Sequence, residues 1–541
     1  MSLRERLAFF EQKPLETGAL IAGGASIAGS LLEILKNMLL ASRFGASAEL
    51  DVYFAAFRVP DLLYGVFISG VLSVSFFPIF ARVLLAGKEG AWKLASALIA
   101  FFSTVLGVGA LAVFVFARPI AQLLAPGFSP LQNDLLISLL RVLMLQPIFM
   151  ALANLFADML QSFKRVFVSA LAPAFYNGGA IVGIVLFSQR MGIYGVVWGV
   201  ILGSLSYALV QVPALRAIGF KFSWSWRETL NDVRDMCVLT VPHALLLVAD
   251  NAMLVWITML SSLLSIGSLS IYSFTGSLQS LPQTIIALSF ASVAFPQLAG
   301  QWVAAAHEQD DVAREKGKAK FLRLFDAVAG QIMAWLIPCA FLLAAFTDPI
   351  VRVLFGHGNF NGADQYTAMF ALAVFAVGVP AAGLLMHLVR TFFAMEDTKH
   401  PIFAAFLSLF VAFPAAWFLA LRFGVPGLIA GIVLGAWFHA AYLMWLFTNV
   451  LGTGYLPRFW YGIARGIVVG SVAALAGAGV YYGSGLFVKS PDFLIILARG
   501  VVSGSISLLV LGASIFVYKL IDLATFFDRE QPGQTPGGQG I

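Results

Sequence analysis

Long apolar segments alternate with short polar ones along most of the chain. Most of these segments reach about 20 residues, the length that a helix needs to cross the hydrocarbon core of a bilayer. The pattern therefore predicts an all-α polytopic membrane protein with about 14 transmembrane helices. The predicted spans are 17–42, 53–84, 92–117, 134–158, 166–188, 193–214, 236–263, 269–299, 323–347, 364–394, 401–421, 425–449, 459–483 and 492–520.

Two distant spans carry the same pattern of glycines. The set Gly192, Gly195, Gly199 and Gly203 recurs at one constant offset as Gly424, Gly427, Gly431 and Gly435. Such spacing lines one helix face with small residues and allows close helix contact. The repeat predicts two halves of six spans each. Because six is an even number, both halves should have the same orientation, as in parallel-repeat transporters, and a cavity is predicted at their interface.

The repeat divides the chain into predicted segments. These are a cytoplasmic N-terminal segment at 1–16, a six-helix lobe at 17–215, a cytoplasmic linker at 216–235, a second six-helix lobe at 236–450, two further helices at 451–527, and a tail at 528–541. The tail has little apolar content and is expected to be disordered.

Composition and charge support a membrane protein. Hydrophobic residues make up 60% of the 541 positions and charged residues 11%, more apolar surface than a soluble core needs. Most Lys and Arg residues fall in alternate loops, which by the positive-inside rule places both termini in the cytoplasm. This topology explains the net charge of +6 without a nucleic-acid partner, and the basic loops are expected to contact membrane lipids.

Motifs for catalysis are missing from the sequence. It contains no GxxxxGK[ST] phosphate loop, no HExxH motif and no clustered Cys and His residues. We therefore expect no catalytic residues, no metal site and no cofactor.

The first span carries an unusual polar face. Ser30, Glu33, Lys36 and Asn37 are three or four residues apart, so they share one side of a helix. A charge near the bilayer centre costs about 3 kcal/mol, so this face should meet a water-filled cavity or a partner. The alternative is that Glu33 and Lys36 merely neutralise each other inside the bundle.

Other charged residues also lie in predicted spans. Asp250 and Asn251 stand inside the seventh span, the counterpart of the first, and are the strongest candidates in the second half. The remaining candidates, some of which are expected to be ion pairs or to lie near the membrane surface, are Arg58, Asp61, Asp158, Asp326 and Arg390.

Several motifs resemble those of one transporter family. They include Arg43-Phe44-Gly45-Ala46, the stretch DVYFAAFRVPDLL at 51–63, Phe77-Pro78-Ile79-Phe80-Ala81, Ala125-Pro126-Gly127-Phe128 and Phe295-Pro296-Gln297-Leu298. In this order they resemble the MurJ (MviN) lipid II flippases, over roughly residues 17–450.

The resemblance implies a transporter of the multidrug/oligosaccharidyl-lipid/polysaccharide exporter superfamily in the bacterial cytoplasmic (inner) membrane. It would move lipid II, a pyrophosphate-linked lipid muropeptide, to the outer leaflet by alternating access of two lobes. Residues 451–527 would form a groove for the lipid tail. The implied driving force is the membrane potential or an ion gradient, and cell-wall synthesis enzymes are candidate partners.

The resemblance also suggests roles for residues. Lys36 is assigned to the pyrophosphate with Arg58 assisting, and Asp51 and Arg58 match an acid and a base of the family. The other residues predicted to bind cargo are Ser30, Glu33, Asn37, Asn177, Asp250, Asn251 and Ser277.

The sequence departs from the family where several acidic or basic residues are expected. Ser30, Tyr64, Gly65 and Ser277 stand at or near expected arginines, and Ser69 stands at an expected glutamate. Three alternatives therefore stay open: export of another polyprenyl-linked glycan, export of a small cation, or a non-transporting scaffold for wall synthesis. A polyprenyl-dependent glycosyltransferase is disfavoured because the outer loops are short.

Overall fold

The computed structural model describes residues 15–66, 76–163, 165–223, 226–452, 456–487 and 493–518. Within these ranges the chain is helical and contains no β-strand, so the predicted all-α class is confirmed. Most of the predicted N-terminal segment and the whole predicted tail at 528–541 lie outside the described residues.

The helices are numbered here in chain order. Those of the first half are α1 (Leu15–Phe44), α2 (Ala48–Ala56), α3 (Arg58–Tyr64), α4 (Phe77–Ala86), α5 (Lys88–Leu124), α6 (Pro130–Leu143), α7 (Leu145–Ser162), α8 (Val166–Leu171), α9 (Pro173–Val182), α10 (Ser188–Met191), α11 (Ile193–Leu209) and α12 (Val212–Ala217). Those of the second half are α13 (Trp226–Leu263), α14 (Ser268–Pro282), α15 (Leu288–Ala306), α16 (Asp311–Ala345), α17 (Thr347–Phe355), α18 (Gly362–Ala394), α19 (Lys399–Leu451), α20 (Pro457–Phe487) and α21 (Phe493–Tyr518).

Ten helices in the described part of the chain are long and apolar enough to cross a membrane. One of them, α19, has 53 residues and covers two predicted spans, which are separated by a kink at Gly424. The predicted spans 17–42 and 236–263 lie within α1 and α13. The described parts of span 53–84 belong mainly to α2, α3 and α4, and residues 67–75 of this span lie outside the described residues. The chain is therefore a multi-pass membrane protein.

The chain forms two compact units. The first comprises Met1–Leu281, Thr347–Phe375 and Thr398–His439, and the second comprises Pro282–Phe346, Ala376–Asp397 and Ala440–Ile541. Both units are discontinuous in sequence. The lobe boundaries derived from the glycine repeat stay predictions.

In the first unit, the glycine stripe of α11 packs directly on α9. A Cβ atom added at Gly179 would lie 2.3 Å from the Gly203 Cα and 2.7 Å from the Gly199 carbonyl oxygen. Real Cβ atoms do not approach backbone this closely, so only glycine permits this helix spacing. The close contact predicted from the small-residue pattern is confirmed for this pair of helices.

We expect Gly179→Ala to destabilise the protein by about 1–3 kcal/mol, because the added methyl group must push two backbones apart. The measurement is the thermal unfolding midpoint of the purified protein in detergent. Gly178→Ala is the matched control, since a Cβ atom at Gly178 meets no atom within 4 Å. Equal midpoints for the two variants would contradict the packing argument.

The internal repeat is also visible in local backbone geometry. Gly192 precedes α11 with φ 56° and ψ −136°, and Gly424 at the kink of α19 has φ 61° and ψ −137°. Glycine adopts this region readily, whereas residues with a Cβ atom rarely do. The two glycines therefore make the same turn in both halves of the chain.

Matching helix caps extend the repeat. Ser129 and Gln132 exchange side-chain and backbone hydrogen bonds at the start of α6, forming a capping box. Asn361 and Asp364 do the same at the start of α18, where the Asn361 Oδ1 accepts from the Asp364 amide at 3.0 Å. The second pair follows the first in sequence by the same offset that relates the two sets of glycines.

In the second unit, a buried carboxylate joins α16 to α20. Asp326 on α16 accepts hydrogen bonds from the backbone amides of Arg458 and Phe459, at 3.0 and 2.8 Å. These amides open α20, where a helix has unpaired N–H groups and a positive dipole end. One turn along each helix, Gly330 and Gly462 touch through their backbones. Asp326 therefore anchors a helix end.

Candidate functional site

The first unit contains a cavity of about 440 Å³. Its walls come from α1, α2, α3, α9, α11 and α14, so it lies among helices that begin and end far apart in sequence. The polar and charged side chains that line it are Glu33, Lys36, Asn37, Tyr53, Arg58, Asp61, Tyr176, Tyr272, Ser273, Ser277 and Gln279.

The polar face of α1 forms one wall of this cavity. Glu33, Lys36 and Asn37 all line it, as their three- and four-residue spacing predicts. Asn37 is 5% exposed, and its Nδ2 donates to the Ser277 Oγ of α14 at 3.0 Å. This hydrogen bond holds α1 beside α14 and leaves the neighbouring Lys36 ammonium at the cavity.

Arg58 supplies a second cation. It is the first residue of α3, directly after the break between α2 and α3 at Phe57. Its Nε donates to the Thr258 Oγ1 of α13 at 2.9 Å, and Thr258 is fully buried. One hydrogen bond thus orients the guanidinium, whose planar fork of N–H donors matches the oxygen atoms of a carboxylate or phosphate.

Two carboxylates accompany these cations. Asp61 lies one turn after Arg58 on α3, and its charge acts on both Arg58 and Lys36. Glu33 lies one turn before Lys36 on α1 and is the more exposed of the two acids. The formal charges of these four side chains sum to zero, so the cavity is polar without a net charge from them.

Tyrosines make up much of the remaining polar wall. The Tyr176 hydroxyl accepts a hydrogen bond from the Gln146 Nε2 at 3.2 Å, which ties α9 to α7. The Tyr53 ring packs edge-on against the Phe57 ring, with 4.9 Å between the ring centroids. The ring centroids of Tyr272 and Phe375 are 5.6 Å apart. These rings give the cavity amphipathic sides, apolar along the ring and polar at the hydroxyl.

The cavity brings together five of the predicted cargo-binding residues. These are Glu33, Lys36, Asn37, Arg58 and Ser277. Glu33, Lys36 and Asn37 were predicted from their spacing on one helix face, and Arg58 and Ser277 from their positions in the family resemblance. The assignment of these side chains to cargo stays a prediction.

Five of the predicted residues do not line this cavity, namely Asp51 and four others. Ser30 is half-buried, and the Asn177 Nδ2 donates to the Gly29 carbonyl at 3.4 Å. Asp250 is exposed, whereas the Asn251 Nδ2 donates to the Leu247 carbonyl of its own helix at 2.8 Å. Their predicted contact with cargo is likewise untested.

Asp51 also lies outside the cavity lining, in a buried position with a clear structural contact. Its Oδ1 accepts from the Ser270 amide at 2.8 Å and the Ser270 Oγ at 2.7 Å, and its Oδ2 accepts from the Gly267 amide at 2.7 Å. The side chain is 2% exposed. Asp51 therefore caps the N-terminus of α14 from α2.

Asp61 is among the charged candidates that the sequence places in spans but not among the residues predicted to bind cargo, and no tyrosine is predicted at the site. Asp61 follows Arg58 by three residues, so the spacing places the two side chains on one helix face, but it does not show which acid of this region, Asp51 or Asp61, lies at the cavity. Tyr53, Tyr176 and Tyr272 carry no such signal, because they converge only through the packing of α2, α9 and α14.

The arrangement is suited to binding an anion. Among the described residues, no group of three or more His, Cys, Asp or Glu side chains is placed to hold a metal ion. Lys36 and Arg58 instead offer a point charge and a planar donor fork to one space, the combination that proteins use for phosphate groups.

Comparison with known proteins gives consistent matches. A sequence model of the family described as lipid II flippase MurJ matches residues 40–499. A Rhizobium meliloti protein named probable lipid II flippase MurJ is 25% identical over 446 residues, covering 81% of this chain and 80% of that protein. A Burkholderia cenocepacia protein named lipid II flippase MurJ is 26% identical over 432 residues, covering 77% and 80%.

Solved structures share the fold. A lipid II flippase MurJ in an inward closed conformation superimposes with a TM-score of 0.72 at 22% identity, covering 93% of this chain and 99% of that one. An inward-facing multidrug resistance transporter of the MATE family matches with a TM-score of 0.61 at 17% identity, covering 78% and 95%. The chain therefore shares the fold of these transporters.

Proposed function

The chain belongs to the lipid II flippase MurJ family, and on that premise we propose that it moves lipid II across the bacterial cytoplasmic membrane. It is a transporter and not an enzyme. Family membership does not favour the alternatives of another cargo or a non-transporting scaffold. Lipid II is the transported substrate, carried from the inner to the outer leaflet for peptidoglycan synthesis.

One observation supports this function at the level of residues. Lys36 and Arg58 line one cavity of about 440 Å³ within the helices of a membrane protein. Cationic side chains are costly in that environment and are retained where they meet a substrate or a partner. A pyrophosphate offers the oxygen atoms that both side chains bind best. We therefore assign Lys36 and Arg58 to the pyrophosphate of lipid II.

The direction of transport and its driving force belong to the same proposal. The distribution of Lys and Arg in the sequence supports cytoplasmic termini, with lipid II entering from the cytoplasmic leaflet. We propose that the membrane potential or an ion gradient drives export. Enzymes that use lipid II in the outer leaflet are the expected partners.

Genetic complementation tests the function. A bacterial strain depleted of its own lipid II flippase is expected to resume growth when this protein is expressed, because lipid II again reaches the outer leaflet. The control is the same strain expressing the protein with both Lys36→Gln and Arg58→Gln, at a membrane level matched by immunoblot. Failure of the parent protein to restore growth at normal membrane levels would contradict the proposal.

A further inference from the structure

The charge of the cavity constrains how it accepts an anion. Without cargo, Glu33 and Asp61 offset Lys36 and Arg58, so the four side chains are balanced inside the membrane. A pyrophosphate diester adds a negative charge on each phosphate. Charges are poorly screened away from water. If both carboxylates stayed ionised in the loaded cavity, they would therefore strongly repel the pyrophosphate.

Asp61 is the carboxylate that competes most directly with the cargo. Its charge acts on both Lys36 and Arg58, the two groups assigned to the pyrophosphate. Glu33, one turn before Lys36 on α1, acts on Lys36 more strongly than Asp61 does, but it is exposed and water screens its charge, whereas the half-buried Asp61 acts on both cations. An anion bound between Lys36 and Arg58 therefore replaces Asp61 as their counter-ion.

The described lining of the cavity around Asp61 supplies no third cation. The helices packed against α3 add the acids Asp158 on α7 and Asp250 on α13, and Arg141 on α6, whose guanidinium lies over the Phe114 ring. The titratable groups that face Asp61 around the cavity are Glu33 and Lys36 from α1, Tyr53 from α2, Arg58 from α3, Tyr176 from α9 and Tyr272 from α14. Among these described groups only Lys36 and Arg58 are positively charged. Extra positive charge must therefore come from solution.

We propose that Asp61 takes up a proton from the aqueous phase when the pyrophosphate of lipid II binds. The proton converts the carboxylate to a neutral carboxylic acid, and no other bond is made or broken. The acid removes the repulsion and offers an O–H donor to a phosphate oxygen. Lys36 and Arg58 then exchange one counter-ion, Asp61, for another, the pyrophosphate. This inference rests on the proposed function and extends it to the coupling of cargo to protons.

The experiment counts protons during binding. Lipid II is titrated by calorimetry into the full-length protein in lipid nanodiscs, in two buffers that differ in ionisation enthalpy. The expected uptake is about one proton per lipid II bound, and the dissociation constant should fall about tenfold for each unit that pH is lowered while Asp61 is ionised. For Asp61→Asn, of nearly equal volume, we expect no proton uptake and a dissociation constant independent of pH.

Glu49→Gln is the matched control, because Glu49 is an exposed carboxylate in the first turn of α2 and lies outside the lining of the cavity. It should keep the proton uptake and the pH dependence of the parent. Binding by the parent without proton uptake, or unchanged uptake in Asp61→Asn, would overturn the inference and leave the flippase function intact. Absence of lipid II binding to the parent at any pH would instead show that the proposed site is wrong, and the inference with it.

Discussion

Replacing Lys36 with glutamine is expected to slow lipid II translocation by about a hundredfold. Glutamine keeps most of the length of the side chain but removes the charge, so a pyrophosphate in the cavity loses one of its two cationic partners. Loss of one charged partner from a buried ion contact costs about 2–5 kcal/mol, and each 1.4 kcal/mol is a tenfold change in rate or affinity. The measurement is the rate at which fluorescent lipid II in proteoliposomes becomes accessible to a membrane-impermeant reagent.

Two variants control this measurement. Lys36→Arg keeps the charge and should retain much of the activity, although its planar fork differs in shape from the ammonium. Lys318→Gln removes a lysine that pairs with Glu315 at the surface, at 2.9 Å, and should leave the rate unchanged. Translocation undiminished in Lys36→Gln would remove Lys36 from the pyrophosphate site.

The second large effect is on stability. Asp51→Ala is expected to lower the free energy of unfolding by about 3–5 kcal/mol, since the alanine leaves the Gly267 and Ser270 donors buried without their acceptor. Asp51→Asn should be intermediate, because its amide has one acceptor oxygen in place of two. The measurement is the unfolding midpoint in detergent, with a ligand-free sample.

Glu49→Ala is the control for Asp51. Glu49 lies in the same first turn of α2 and is exposed, so its loss should cost little. An equal loss of stability in the two variants would contradict the capping role of Asp51. The family resemblance also suggested that Asp51 contacts cargo. Measuring translocation by Asp51→Asn at a temperature where the variant stays folded separates this role from the capping of α14.

Local patterns predicted much of what positions the site. The three- and four-residue spacing in the first span correctly indicated that Glu33, Lys36 and Asn37 share a face at a cavity. The glycine stripe likewise predicted the close contact of α9 with α11, since small residues at helical spacing have a direct steric consequence. Both features depend on one or two helices only.

Features that depend on distant contacts were not predictable in this way. The sequence offers Asp51 and Asp61 as two acids in the same region, yet one caps α14 and the other lines the cavity. Which role each takes depends on where α14 lies, and no periodicity in α2 or α3 contains that information. The same holds for Tyr272, which reaches the cavity from α14.

The most direct test of the function follows lipid II itself. In spheroplasts of a strain depleted of its own flippase, labelled lipid II is exposed to an impermeant reagent that modifies only the outer leaflet. Expression of this protein is predicted to restore the modified fraction to the level before depletion, whereas the Lys36→Gln and Arg58→Gln double variant should leave it near the depleted level. Lipid II that stays protected while the parent protein is present in the membrane would contradict the account.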